Sequence, residues 1–262
     1  MLKKLFLFFG LFAFILLSQS SAFDEVNLKL EVGIYSPELS GSIKNYITTT
    51  DLQKDLNYKD VGLSYAKFGS YFSGDFPNIE IDYFMVTQEA AASFESAKTL
   101  VSQEYNSSVY SKVDFKRTNI TIYHDLKKKG RRIHLGNGKY VYPGDLEFDI
   151  GVNLKNFDYT FQIRDLTDTQ DEYRFDRIDG WVVLPFIQAK YYYYRISLYA
   201  NMSMLSYGVA NTTTYNYGFD WKIIDRLYFG FSTMYERVEA KEKDDVIMFK
   251  LDGNKFSFKY IF

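Results

Sequence analysis

Apolar and polar residues take turns along much of this chain. In "NLKLEVGIY", Leu28, Leu30, Val32 and Ile34 share one face, with Lys29, Glu31 and Gly33 on the other. "NIEIDYFMV" sets Ile79, Ile81, Tyr83 and Met85 against Glu80 and Asp82. "DLEFDIGVNL" sets Leu146, Phe148, Ile150, Val152 and Leu154 against Glu147, Asp149, Gly151 and Asn153. The pattern returns in "TYNYGFDWKI", where Tyr215, Tyr217, Phe219, Trp221 and Ile223 oppose Asn216, Asp220 and Lys222, and in "RLYFGFSTMY", with Leu227, Phe229, Phe231 and Tyr235 on one side. Successive side chains of a strand point to opposite faces, so each segment predicts a strand with one apolar and one wet face.

Two architectures accept such strands. In a sandwich the apolar faces meet in a core; in a membrane barrel they face acyl chains and the wet faces line the lumen. Segments of about ten residues match a tilted membrane-crossing strand and exceed the five or six usual in globular sheets. Charges fill the wet faces in pairs of opposite sign, Lys29 with Glu31 and Asp220 with Lys222. "YYYY" at Tyr191 to Tyr194 falls at a strand end, where an aromatic girdle at the lipid interface belongs. The expected fold is all-β: a closed antiparallel transmembrane β-barrel of about ten strands rather than eight or twelve.

The strands are expected near 27–36, 58–68, 78–88, 113–124, 145–155, 180–190, 195–206, 212–223, 226–238 and 252–262. An even number returns both ends to one side, with 37–57, 89–112, 156–179 and 239–251 as long polar outer loops and 69–77, 191–194 and 224–225 as short inner connections. Residues 125–145 fit less well: "KKKGRR" precedes "RIHLGNGKYVY", a small hairpin turning at Gly136 to Gly138 and too short to cross lipid. Pro185 cannot donate to a ladder and predicts a bulge or break in the sixth strand. The parity of that strand stays open, because Val182, Leu184 and Phe186 compete with Trp181, Val183 and Ile187. "EAAASFESAKTLVSQ" has a helical tendency and predicts a short lid helix on the second outer loop.

The first 22 residues stand apart. Lys3 and Lys4, an apolar run from Leu5 to Leu17 and small residues before Phe23 have the layout of a secretory signal peptide, with cleavage expected between Ala22 and Phe23. That leaves 23–262 as the barrel domain, exported through an inner membrane and expected in the cell outer membrane. No later segment approaches the ~18 consecutive apolar residues of a helical span. This reconciles 24 Tyr and 24 Phe with a mean hydropathy of −0.25: the apolar groups are dispersed by alternation.

Charge and chemistry narrow the functional classes. Without Lys3 and Lys4 the 31 basic side chains fall to 29 against 33 acidic ones, a balance that recruits no nucleic acid. Absent cysteine removes disulfides and thiolate chemistry, and His124 and His134 are too isolated to suggest a metal centre. No cofactor, metal or catalytic residue is expected. The charged positions Lys29, Glu31, Glu80, Asp82, Glu147, Asp149, Lys190, Asp220 and Lys222 are expected to neutralise one another in a narrow lumen. At the other end, "KFSFKYIF" keeps Phe256, Phe258, Tyr260 and Phe262 in strict alternation, as required of a last strand that closes against the first in lipid. It also has the form of a C-terminal assembly signature that a barrel-assembly machinery reads by edge pairing.

Several pieces together resemble a group of small Gram-negative outer-membrane β-barrels of unassigned activity: "DLQKDL" at 51–56, "FPNIEIDY" at 76–83, "LPFIQAKYYY" at 184–193 and "LDGNKFSFKYIF" at the end. The resemblance implies a barrel and a location and brings no catalytic residues. Three roles follow in order of expectation. A structural barrel or passive small-solute pore comes first. Next is a surface-recognition or adhesion barrel acting through 37–57 and 89–112, where "EYNSS" around Asn106 resembles a bacterial glycosylation acceptor. An outer-membrane protease or lipid hydrolase comes third. The expected partners are outer-membrane lipid, lipopolysaccharide and the assembly machinery, with the chain a monomer.

Overall fold

The structure, a computed structural model, describes residues 26–44, 48–72, 76–101, 103–127, 133–134, 140–141, 145–166, 172–207, 210–242 and 245–262. The expected cleavage point at Ala22 and Phe23, most of "KKKGRR" and the turn at Gly136 to Gly138 lie outside the described residues.

Ten long strands form the wall. In chain order they are β1 (Val26–Lys44), β2 (Leu63–Phe72), β3 (Asn78–Ser93), β4 (Ser108–Lys127) and β5 (Asp145–Asp165). There follow β6 (Glu172–Tyr193), β7 (Ile196–Tyr207), β8 (Ala210–Ile224), β9 (Leu227–Glu242) and β10 (Asp245–Ile261). Each pairs antiparallel with the next, and β10 returns to β1 from Lys29↔Ile261 to Lys44↔Val246, so the sheet closes on itself. The backbone N–H of Phe262 donates to the Leu28 carbonyl at 2.8 Å, which extends the closure to the last residue. In hydrocarbon each unpaired backbone group costs several kcal/mol, so a closed ladder is what permits strands there.

Most wall strands run well beyond the predicted ten residues, and the reason lies in the side-chain pattern. On β5, Leu146, Phe148, Ile150 and Val152 face outward and are 41–50% exposed, while Glu147, Asp149, Asn153 and Lys155 face in. Beyond Lys155 the assignment reverses without any slip against β4: Phe157, Tyr159, Phe161 and Ile163 are buried inside, and Asn156, Asp158, Gln162 and Arg164 lie on the outer face. The same exchange occurs on β1, from outward Leu30, Val32 and Ile34 to inward Tyr35, Leu39 and Ile43, and on β10, between inward Ile247, Phe249 and Leu251 and outward Phe256, Phe258 and Tyr260. Near the chain ends the wall is therefore a membrane barrel. Farther out the same strands enclose a dry core, as in a barrel standing in water. The apolar belt from Leu146 to Leu154 corresponds to about 20 Å of membrane normal for strands rising ~3.3 Å per residue at ~40° tilt.

These extensions correct the expected loops. Much of 37–57, 89–112, 156–179 and 239–251 is strand, and long outer connections remain only after β1 and β3. The expected lid helix is absent among the described residues. In its place Lys98–Leu100 pairs with Gln103–Tyr105 as a short hairpin. The segment after β1 carries a three-residue strand, Thr49–Asp51, that turns back on β1. Leu52, Leu56 and Tyr58 from this segment join Leu100, Val101 and Tyr105 of the hairpin inside the outer core. Lys98 Nζ meets Asp55 Oδ1 at 2.5 Å, and the Val101 N–H donates to Thr50 Oγ1 at 3.0 Å, tying the two insertions together.

Pro185 causes no bulge: the β5–β6 register runs through Val152↔Pro185, and its irregularity lies at Tyr159/Phe161. β7 pairs with β6 only from Phe186↔Ser203 to Tyr193↔Ile196, so Pro185 falls one position before that ladder, where β6 is paired with β5 alone. Parity on β6 is settled as well, with Trp181, Val183 and Ile187 outward and Leu184 and Phe186 inward. Ile133–His134 and Tyr140–Val141 form a separate two-stranded ladder and do not enter the wall.

Candidate functional site

The interior has two storeys divided by a layer of charge. At the boundary Arg117 of β4 reaches across the lumen, its Nη1 2.6 Å from Glu236 Oε2 on β9. β4 and β9 stand half-way round the barrel from one another, so this ion pair spans the diameter. Lys155 of β5 meets the other oxygen of Glu236 at 2.8 Å and also donates to Thr214 on β8. The second guanidinium nitrogen of Arg117 pairs with Asp82 on β3, which also accepts from Asn119 Nδ2 at 2.6 Å. Glu236 and Lys155 are 1% and 0% exposed. Burial of single charges at this depth is tolerable because every one has an opposite partner and further hydrogen bonds.

Above this layer the lumen is filled with rings. Phe115 on β4 and Phe249 on β10 meet with centroids 4.8 Å apart, Phe115 stacks on Phe157 at 5.9 Å, and Tyr159 meets Phe249 edge-on at 5.5 Å. The Arg117 guanidinium lies 4.2 Å from the Phe84 ring centroid, so the charged layer is capped by the aromatic one.

Below it, toward the chain ends, a polar cavity of about 500 Å³ remains. Lys67 pairs with Glu80, which also accepts from the Tyr71 hydroxyl. Lys259 lies 3.4 Å from Glu31 and 2.6 Å from Asp220, while Lys190 reaches Glu147 at 2.9 Å and Asp149 at 2.8 Å. The sequence-predicted residues Lys29, Glu31, Glu80, Asp82, Glu147, Lys190 and Asp220 thus surround one space, with Asp149 buried directly behind it. Lys222 does not join them: it pairs at 2.8 Å with the exposed Asp225 on the β8–β9 turn, because its strand has already reached the rim there. Phe256, Phe258, Tyr260 and Phe262 face outward at 40–57% exposure, on the lipid side of β10. His124, in the outward register of β4, is away from the cavity.

Sequence reading missed Arg117, Lys155 and Glu236, and also Lys67, Lys255 and Lys259. Lys255 and Lys259 were visible on the polar face of "KFSFKYIF". Arg117 and Glu236 are 119 positions apart, and nothing in local spacing links them.

No family model matches the chain, and no curated protein sequence matches it. Among solved structures, the outer membrane protease OmpT from Escherichia coli is 8% identical, with 92% of this chain and 98% of that chain covered and a TM-score of 0.47. The translocator domain of the autotransporter NalP from Neisseria meningitidis is 8% identical, with 98% and 97% covered and a TM-score of 0.36. Ail, the attachment invasion locus protein of Yersinia pestis, solved with the heparin analogue sucrose octasulfate, is 9% identical, with 89% and 99% covered and a TM-score of 0.30. Likeness at this level assigns no role to the chain.

Proposed function

We propose that the chain is an integral outer-membrane β-barrel of structural duty, sealed at its outer half and open only as a blind vestibule on the side of its chain ends, which is the periplasmic side in bacterial barrels. One observation carries this reading: the lumen is bridged from wall to wall, by Arg117–Glu236 and then by Phe115–Phe249. A passive pore needs a continuous wet path, and a packed aromatic layer offers none. Lipid and lipopolysaccharide are its surroundings, the assembly machinery is its partner in biogenesis, and it acts as a monomer without catalysing a reaction.

Purified protein reconstituted in planar bilayers is expected to give no stepwise currents. Steady channel events in symmetric salt would remove this reading and restore the pore.

A second reading, surface recognition, is favoured by the outer half itself. It presents outward Lys112, Asp114, Lys116 and Asp158 on rigid strands above the belt, rather than on loose loops. Replacing Lys112, Asp114, Lys116 and Asp158 together by serine would abolish whole-cell binding in that case.

A further inference from the structure

Four asparagines stand in the Asn-x-Ser/Thr frame of an N-glycosylation acceptor, none with proline at x: Asn106 before Ser108, Asn119 before Thr121, Asn201 before Ser203 and Asn211 before Thr213. The bacterial form of the acceptor also carries an acid two positions before the asparagine. That position holds Glu104, Arg117, Tyr199 and Val209 respectively, so Asn106 alone meets it.

Geometry sorts the same four residues without reference to that acid. Asn119 is 7% exposed, with its Nδ2 donating to Asp82 at 2.6 Å, and Asn201 lines the vestibule with its Nδ2 3.4 Å from Gln188 Oε1. A sugar chain on either would have to fit inside the closed wall, in a space of about 500 Å³ lined with paired charges. Asn211 is half-buried on β8 beside the buried Thr212. Asn106 is exposed, as is Glu104. It occupies the bend between the outer hairpin and β4, at the end of the barrel opposite the chain ends, and its side chain makes no hydrogen bond among the described residues. The bend itself is fixed: Tyr105 is 1% exposed in the outer core, and the Phe94 N–H donates to the Ser107 carbonyl at 2.7 Å. A bulky, hydrated substituent therefore fits at Asn106 without disturbing the packing beneath it.

From this coincidence of motif and exposure we propose that Asn106 is a site of N-linked glycosylation, with a polyprenyl diphosphate-linked oligosaccharide as donor. The transfer precedes folding, because the anchored Tyr105 keeps the folded bend out of an enzyme's peptide groove; the finished fold then tolerates the sugar where the side chain stands in water. Asn106 Nδ2 bonds to C1 of the first sugar, and the C1–O bond to the diphosphate breaks. Its electron pair leaves on the polyprenyl diphosphate, and the amide nitrogen gives up one proton to solvent. No oxidation or reduction is involved. The assembled barrel carries the oligosaccharide on its outer end, clear of the lipid belt.

The test expresses the full chain in a Gram-negative host carrying a bacterial oligosaccharyltransferase and its lipid-linked oligosaccharide, with a secreted acceptor peptide as internal control. In protein extracted from the outer membrane and shown folded by heat-dependent gel migration, the tryptic peptide 99–112 should gain the mass of the oligosaccharide, while 118–127 and 196–222 keep their unmodified masses. Asn106→Gln and, separately, Glu104→Gln should each lose the added mass and leave the gel migration unchanged. A bare 99–112 beside a modified control overturns the proposal. So does comparable occupancy of 118–127 or 196–222, or sugar confined to unfolded protein, and none of these outcomes needs a variant that folds. The site is independent of the seal: bilayer currents from a barrel glycosylated at Asn106 would refute the seal and leave the site standing.

Discussion

Glu236 shows how one buried residue organises the interior. It holds Arg117 from β4 and Lys155 from β5, and its removal leaves Lys155 buried without a counter-charge and Arg117 with Asp82 alone. Glu236→Ala is expected to cost about 3–5 kcal/mol, read from urea unfolding in detergent by tryptophan fluorescence. A concerted Glu236→Leu, Arg117→Met, Lys155→Met replacement should cost far less, because a buried ion cluster can often be exchanged for apolar packing of similar volume. If the single and triple variants were equally destabilised, the charged layer would not be the source of the loss. Phe115→Ala belongs to the same scale. It deletes the ring that touches Phe84, Phe157 and Phe249, and a loss of about 3–5 kcal/mol is expected in the same assay.

At the scale of the strand, β5 contains two solvents in one segment. Ile150, half exposed at the middle of the belt, contacts acyl chains, whereas Gln162 lies on the same outer face above the belt. Ile150→Arg should destabilise by about 2–4 kcal/mol and Gln162→Arg by less than about 0.5 kcal/mol, compared in reconstituted vesicles. Comparable penalties would place both positions in the same medium and refute the two-storey description. This explains how much of the fold could be read from the chain. Leu28 to Ile34, Ile79 to Met85 and Leu146 to Leu154 announce themselves because lipid demands an apolar residue at every second position. The continuation of β5 reads as a loop in sequence because its apolar residues change from even to odd positions between Leu154 and Phe157, which looks like a broken pattern although the backbone is continuous. The helical expectation for 89–103 failed for a related reason: Leu100 and Val101 are anchored in a core built by other strands, and this tertiary burial outweighs the Ala-rich local preference. The charged faces were legible strand by strand. Their cross-lumen pairing was not, since it depends on which strands the closed cylinder places opposite one another.

The whole molecule is a cylinder closed along its full height between β10 and β1, but not everywhere else. Between β6 and β7 the ladder stops at Phe186↔Ser203, although β6 continues to Glu172 and β7 to Tyr207. Amide protons on that side of β6 therefore depend on water, and in hydrogen exchange the stretch 179–184 should label faster than the doubly flanked 153–158 of β5; equal protection would show that the gap is filled in solution. The β2–β3 ladder is shorter still, from Ala66↔Tyr83 to Ser70↔Ile79, although β3 continues to Ser93. A barrel made this way resembles a cask with two seams fastened only at the lower hoop. Under heat or pulling force it should come apart along those two seams first, with the belt and the β10–β1 join still intact.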